Sequence, residues 1–282
     1  MDWDKAKNLT ILFLVLLNLF LGAFVYTSRN RFTLDARQLK AIEDLLDRNS
    51  IHYQEAMIPK SYAPKRPLLM SKYEYDDEEL LNRFFLHPEE ARRFDEPDNK
   101  TEYICQDQVL TLQNGYISFD NPKGTGPMDS FDEAAAVRAC ENFLPSLGRE
   151  IAQFKLDGVD WASGENGFRV QYCQVYERNI LYTNFVTFLV TEMGITQIDC
   201  QYSAPLGFSG KPVEICSSDE ALLNFTQQLR SATDQEAVIT RVDLVYYQAE
   251  GSGTSSKATP YYRIMVEHLD APFLINAYIN TG

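Results

Sequence analysis

The sequence lacks the residues and spacings on which most catalytic and metal sites are built. Its three histidines, His52, His87 and His268, form no H-x-x-x-H or H-E-x-x-H pattern and lie in no Cys/His cluster. A zinc site made of neighbouring residues is thereby excluded. No G-x-S-x-G, S-x-x-K, P-loop or G-x-G-x-x-G motif is present, which excludes the familiar serine nucleophiles and nucleotide-binding loops. We therefore predict no catalytic residue, no cofactor and no metal ligand.

Cysteine is scarce and scattered. The five cysteines form no C-x-x-C pair, and their odd number makes a poor disulfide framework. We predict that most of them are small buried apolar residues. The alternative is that two of them form one internal disulfide, which an exported domain allows. The residues concerned are Cys105, Cys140, Cys173, Cys200 and Cys216.

Basic residues are also few. Lys and Arg number 26 against 40 Asp and Glu, so the net charge is −14. Nucleic-acid binding needs clustered basic side chains, and nucleic acid is therefore excluded as a partner. The same acidity argues against a folded part that lies flat on an anionic membrane surface.

The sequence does contain one long uncharged apolar run, at residues 9–26. A helix over this run spans about 27 Å, which is close to the hydrocarbon thickness of a bilayer. A cleaved signal peptide is disfavoured because no A-x-A site or lipobox follows, and a buried core helix because the run is apolar on every face. We predict a cytoplasmic tail at 1–8 and a transmembrane helix at 9–26.

The orientation of this helix is inferred from the sizes of the segments before and after it. Two lysines precede it and two arginines follow it, so the charge rule is nearly balanced. An eight-residue tail cannot hold a domain, and all folded mass lies on the far side. We interpret that side as extracellular, with the protein in the cell membrane.

One polar residue, Asn18, lies near the centre of the apolar run. An asparagine in hydrocarbon seeks a hydrogen-bond partner, and another membrane helix can supply one. With Leu14 and Gly22 at i ± 4, Asn18 then marks a partner-binding face. The alternative is that an otherwise apolar span simply tolerates one asparagine.

The remaining sequence predicts an α+β ectodomain. Asn114-Gly115 between alternating residues predicts a β-hairpin, and the breaker-rich 121–127 segment predicts a boundary between lobes. Capping patterns at Ser130 and Ser217 predict two helices, each followed by an antiparallel meander. We predict an N-terminal α+β lobe at 27–126 and a C-terminal lobe at 127–282, which contains helix-plus-meander units at 127–209 and 210–282.

These features resemble the YycI family of Gram-positive bacteria. The resemblance rests on the Met1-Asp2-Trp3 start with Lys5 and Lys7, the Asn114-Gly115-Tyr116-Ile117 turn, and the 181–184 and 193–196 segments. The sequence departs from the family in its five cysteines and in a Gly/Ser loop at 251–256. The resemblance implies a single-pass protein with a cytoplasmic N-terminus and an extracellular ectodomain of repeated lobes.

The resemblance also implies a role in cell-wall two-component signalling. Its implied partners are a sensor histidine kinase of the WalK/YycG type and a YycH-like single-pass protein, with contacts between helices in the lipid bilayer. We therefore expect a non-enzymatic regulator of the kinase. The alternatives are a tethered extracellular ligand-binding or PepSY-like protease-inhibitor domain and, third, a hydrolase whose carboxylates converge only in the fold.

Overall fold

The computed structural model describes residues 3–73, 75–97, 99–232, 235–248, 255–269 and 271–279. Met1 and Asp2 of the family-like start, and residues 251–254 of the Gly/Ser loop, lie outside the described residues. The helices are α1 Trp3–Asn30, α2 Ala36–Arg48, α3 Asp77–Phe84, α4 Glu133–Phe143 and α5 Ser218–Ala232. The strands are β1 Ile51–His52, β2 Leu68–Lys72, β3 Arg92–Glu96, β4 Lys100–Cys105, β5 Gln108–Gln113, β6 Tyr116–Asp120, β7 Lys155–Ala162, β8 Gly167–Tyr176, β9 Asn179–Thr191, β10 Gly194–Gln201, β11 Ser203–Phe208, β12 Ala237–Tyr247, β13 Ser255–Val266 and β14 Phe273–Asn276.

The predicted α+β class is confirmed, with a large, mainly antiparallel sheet and one N-terminal apolar helix. The chain divides into two compact units, each made of separate segments. Unit 1 comprises 1–65, 212–243 and 261–282, and unit 2 comprises 66–211 and 244–260.

Unit 1 contains α1, α2, α5 and four short runs of strand. β1 pairs in parallel with the start of β12, and β14 pairs antiparallel with the end of β13. The start of α2 carries a capping box, in which Asp35 Oδ1 accepts from the Gln38 amide at 2.8 Å and Gln38 Oε1 accepts from the Asp35 amide at 3.0 Å. Phe225 of α5 packs against Phe273 of β14, with ring centroids 5.0 Å apart.

Unit 2 is built on an antiparallel sheet whose strand order is β7-β8-β9-β10-β6-β5-β4-β3. Near its start, β9 also pairs in parallel with β12, where Ile180 lies opposite Val245. Helix α4 packs on one face of this sheet, and its Ala136 and Cys140 are completely buried. Alternate residues of the strands, such as Val186 and Phe188 of β9, complete that core.

The predicted hairpin is confirmed. The segment 121–127, where a boundary between lobes was expected, lies inside unit 2. Asn114 and Gly115 both have positive φ, at 50° and 84°, between the paired β5 and β6. β6 also pairs with β10, so strands on both sides of 121–127 share one sheet. The segment is a turn within unit 2, where the Asn121 amide donates to the Thr196 carbonyl at 2.8 Å.

Both predicted helices exist, but the first begins later than its Ser130 signal indicates. Its N-cap is Asp132, whose Oδ1 accepts from the Ala135 amide at 2.7 Å. A carboxylate also interacts favourably with the positive end of the helix dipole, which explains why this residue caps the helix in place of Ser130. The second helix begins at Ser218, directly after the predicted cap Ser217.

Candidate functional site

Helix α1 is the first candidate site. Lys7–Val25 is 19 residues long with a mean hydropathy of 2.3, and none of this stretch is buried. At about 1.5 Å per residue it is long enough to cross a bilayer core. Its large side chains, such as Phe13, Leu16 and Phe20, are exposed around the whole helix. Water is an unfavourable surrounding for such a surface, which suits a single-pass anchor.

The three residues of the predicted partner-binding face lie on one side of α1. Asn18 Nδ2 donates to the Leu14 carbonyl at 2.9 Å, so the side chain satisfies one donor within its own helix. Leu14 is exposed, and a Cβ added to Gly22 would meet no atom within 4 Å. The face is therefore open to a neighbouring helix. Its role in partner binding stays a prediction.

A second candidate site lies in unit 2, at an irregularity of strand β9. Cys173 of β8 pairs with Phe185 of β9, but the next β8 residue, Gln174, pairs with Leu181. Residues 182–184 therefore lie between two successive pairs and form a bulge. Bulges redirect side chains and interrupt the ladder, and they are frequent next to functional sites.

Asn184 fixes the bulge. Its side chain is completely buried, and its Nδ2 donates to Gln174 Oε1 at 2.6 Å and to the Ser203 carbonyl at 2.7 Å. Its Oδ1 accepts from the Ser203 amide at 3.0 Å. One asparagine thereby joins β8, β9 and β11 and holds the bulged backbone in place.

Beside the bulge is a pocket of about 320 Å³, which we call the bulge pocket. Amide, hydroxyl and aromatic side chains line it, and none of them carries a charge. The lining residues come from β8, β9, β10, the end of β12 and the residue after it, and they are Gln171, Tyr182, Thr183, Phe185, Thr187, Gln201, Tyr247 and Gln248.

Two oxygen atoms of the bulge pocket lack hydrogen-bond partners among the described residues. They are Thr183 Oγ1 and Gln248 Oε1, and both atoms are buried. Asp219 Oδ1 in α5 is also buried without a partner among the described residues. The bulge pocket thus brings two such oxygens together in one small space. Each such group costs free energy, so their presence here needs an explanation.

Reasoning from the sequence did not find the bulge pocket. The sequence predicts an antiparallel meander in this region, but the register of β9 against β8 cannot be seen in one sequence. The one available signal is the adjacent polar pair Thr183-Asn184, which interrupts an apolar strand between Leu181 and Val186. In a regular strand one of these two residues would face the core.

Metal ligands do not converge in the described ranges of the chain, where no group of three His, Cys, Asp or Glu side chains is found. His52, His87 and His268 are all exposed. The structure therefore offers no candidate site for a metal among its described residues.

All five cysteines are buried thiols. Burial raises the pKa of Cys140 and Cys200 to about 12 and that of Cys216 to about 11. These residues are therefore protonated at neutral pH and behave as small apolar groups, as the sequence indicates.

Thiol titration checks this placement. At pH 8 we expect the native protein to react slowly with a thiol reagent, and all five cysteines to react once urea unfolds the chain. The raised pKa values also favour the folded state below about pH 8.5, where unfolded thiols are protonated. That contribution is lost as the pH rises toward 11–12. Rapid reaction of several thiols in the native protein would contradict the buried placement.

Comparison with known proteins gives distant structural likenesses only. No family model and no curated protein matches the sequence. An uncharacterized protein from Eubacterium rectale aligns at 11% identity over 81% of this chain and 85% of its own, with a TM-score of 0.46. YycH from Bacillus subtilis aligns at 14% identity over 76% of this chain and 54% of its own, with a TM-score of 0.47. The C-terminal domain of Bacillus megaterium YpeB aligns at 9% identity over 74% and 94%, with a TM-score of 0.37. Likeness at this level says nothing about activity or partners.

Proposed function

We propose that this chain is a non-enzymatic, single-pass membrane protein that regulates a sensor histidine kinase through contacts of its helix α1 and its folded part. One observation carries the proposal: α1 exposes apolar side chains on every side, and none of its span is buried by the described chain. Lipid and the helices of other membrane proteins are the surroundings that can cover such a surface.

The choice of partners is supported by the resemblance of the sequence to the YycI family. We propose a kinase of the WalK/YycG type and a YycH-like single-pass protein as partners, with the N-terminus of this chain in the cytoplasm and its folded part outside. A regulator of this kind needs no chemistry of its own. It shifts a two-state kinase by binding one state more tightly than the other.

The test exchanges the anchor. Full-length protein is crosslinked and purified from native membranes, beside a variant whose residues 9–26 are replaced by an unrelated membrane span. We expect the native anchor alone to recover a histidine kinase and a second single-pass protein. Equal recovery with both anchors would move the contact to the folded part, and no kinase with either anchor would refute the proposal.

Substitutions in α1 test its predicted face. Asn18→Leu is expected to weaken the helix contact by about 3- to 30-fold, because an interhelical hydrogen bond in a membrane contributes about 0.6–2 kcal/mol. Gly22→Leu is expected to weaken it by blocking close approach. The matched control is Leu16→Ala, two residues from Asn18 and on the opposite side of the helix. Unchanged kinase recovery and kinase output in Asn18→Leu would refute the role of this residue.

The bulge pocket favours a second candidate function, that of a tethered extracellular ligand-binding domain. In this alternative α1 is only a tether. A soluble fragment from residue 27 onward would then keep full activity in cells that lack the native protein, whereas the regulator proposal expects that activity to be lost.

A further inference from the structure

We propose that the bulge pocket binds a neutral saccharide, about one sugar ring in size, with Thr183 and Gln248 as its hydrogen-bonding residues. The proposal goes beyond kinase regulation and does not depend on it. The volume of about 320 Å³ is at the lower end of the range for ligand pockets, which suits a single ring rather than a long chain.

The first argument is the unsatisfied oxygens. Thr183 is 8% exposed, and its Oγ1 has no hydrogen-bond partner among the described residues. Gln248 Oε1 is a buried acceptor in the same condition. A hydroxyl group donates and accepts, so a ligand with hydroxyls can satisfy both atoms. The pocket is then complete only when it is occupied.

The second argument is the absence of charge from the lining. None of the eight side chains around the bulge pocket is acidic or basic. An ionised carboxylate, phosphate or ammonium group would lose its hydration here without gaining an ion pair. This chemistry selects a neutral ligand, although the chain as a whole is strongly acidic.

The third argument is the mixture of rings and amides. Tyr182, Phe185 and Tyr247 supply apolar ring surface, and Gln171 and Gln201 supply amides that donate and accept. A sugar ring presents apolar C–H faces and a hydroxyl rim, and it matches both kinds of lining. A purely apolar ligand would leave the buried oxygens unsatisfied.

The pairing of the strands disfavours a peptide. An extended peptide binds by adding to a free strand edge. β8 lies between β7 and β9, β10 lies between β9 and β6, and β12 lies between β9 and β13. β9 itself pairs with β8 and with β10. The strands that line the pocket thus have neighbours on both sides.

The test uses the full chain in phosphatidylcholine nanodiscs, without sugar-based detergent. Binding of glucose and N-acetylglucosamine is measured by saturation-transfer NMR and by the shift of the unfolding temperature. Glucosamine and glucuronate serve as charged probes, and a blocked trialanine serves as a peptide probe. We expect a neutral sugar to bind and to raise the unfolding temperature.

Thr183→Val is the central variant. It removes the hydroxyl without a loss of volume, so we expect the affinity for the sugar to fall about tenfold or more. The unfolding temperature of the sugar-free protein should not fall, because no hydrogen bond within the chain is lost. Thr226→Val is the same exchange at a buried position of unit 1, where the hydroxyl bonds the Leu222 carbonyl, and it should leave binding unchanged.

Gln248→Met provides a second variant, at a residue that is less buried than Thr183, and it should also weaken sugar binding. Selective binding of a neutral sugar that both pocket variants weaken would establish the site. The proposal is overturned if neither neutral sugar binds, if charged sugars or the peptide bind as well, or if Thr183→Val leaves binding unchanged.

Discussion

Replacing Asp243 by alanine is expected to lower the free energy of unfolding by about 3–5 kcal/mol. Arg263 is only 1% exposed, and its guanidinium binds the Asp243 carboxylate through two bonds, Nε to Oδ1 at 2.9 Å and Nη2 to Oδ2 at 2.7 Å. Alanine would remove this carboxylate, and the buried positive charge of Arg263 would lose its ion pair with residue 243. Both residues lie in unit 1, on β12 and β13.

The loss should come from the buried charge and not from the pairing as such. Replacing both residues by apolar ones, as in Asp243→Leu with Arg263→Met, should therefore recover much of the stability. Arg241, whose Nε lies 2.8 Å from Asp243 Oδ2, is partly exposed and can be solvated after the change. Urea unfolding followed by circular dichroism measures each variant in the same membrane mimetic.

The matched control is Asp107→Ala. Asp107 forms an ion pair with Lys123 at 2.9 Å, and the Lys123 side chain is largely exposed while that of Asp107 is partly exposed. Water and salt screen such surface ion pairs, so the control should change stability little. Similar losses in the two single alanine variants would mean that the Arg263 charge is not held as the structure indicates.

Gly124→Ala is expected to lower the free energy of unfolding by about 3 kcal/mol or more. Gly124 has a φ of +66°, and an added Cβ would lie against the carbonyl oxygen of Met193. Two costs combine, the strain of a left-handed residue and a clash with backbone that cannot easily move. The same Met193 carbonyl accepts from the Gly126 amide at 3.1 Å, so any displacement would also disturb that hydrogen bond.

Two other glycines separate these costs. Gly115 has a φ of +84° but no atom within 4 Å of an added Cβ, and Gly115→Ala should cost about 1–2 kcal/mol from conformation alone. Gly158 lies in β7 with open space and no positive φ, so Gly158→Ala should be nearly neutral. An equal cost for Gly115→Ala and Gly124→Ala would show that the Met193 contact is not restrictive.

The features predicted correctly from the sequence are those set by neighbouring residues. The Asn114-Gly115 turn needs two positive φ angles in succession, and few other dipeptides supply them. The capping pattern at Ser217 lies directly before the first residue of α5, Ser218. The apolar helix is recognised because bilayer thickness fixes its length. Each signal is complete within a short stretch of chain.

The features that were missed depend on distant partners. Strands β6 and β10 lie more than 70 residues apart in sequence. Nothing in 121–127 shows that a strand before this segment pairs with a strand far beyond it. The bulge at 182–184 exists because β8 changes register and Asn184 reaches β11. Thr183 therefore looks like an ordinary strand residue until its neighbours are known. A site of this kind needs the tertiary structure to be seen.

The composition of unit 1 has a consequence for biosynthesis. Its segments come from 1–65, 212–243 and 261–282, whereas unit 2 needs nothing beyond residue 260. A ribosome that makes this chain therefore delivers α1 before unit 2 and the β14 segment after unit 2. Unit 2 can begin to fold while unit 1 still lacks a strand, and unit 1 must wait until its late segments emerge. The apolar helix α1 thus emerges before unit 2 but belongs to the unit that is completed after it.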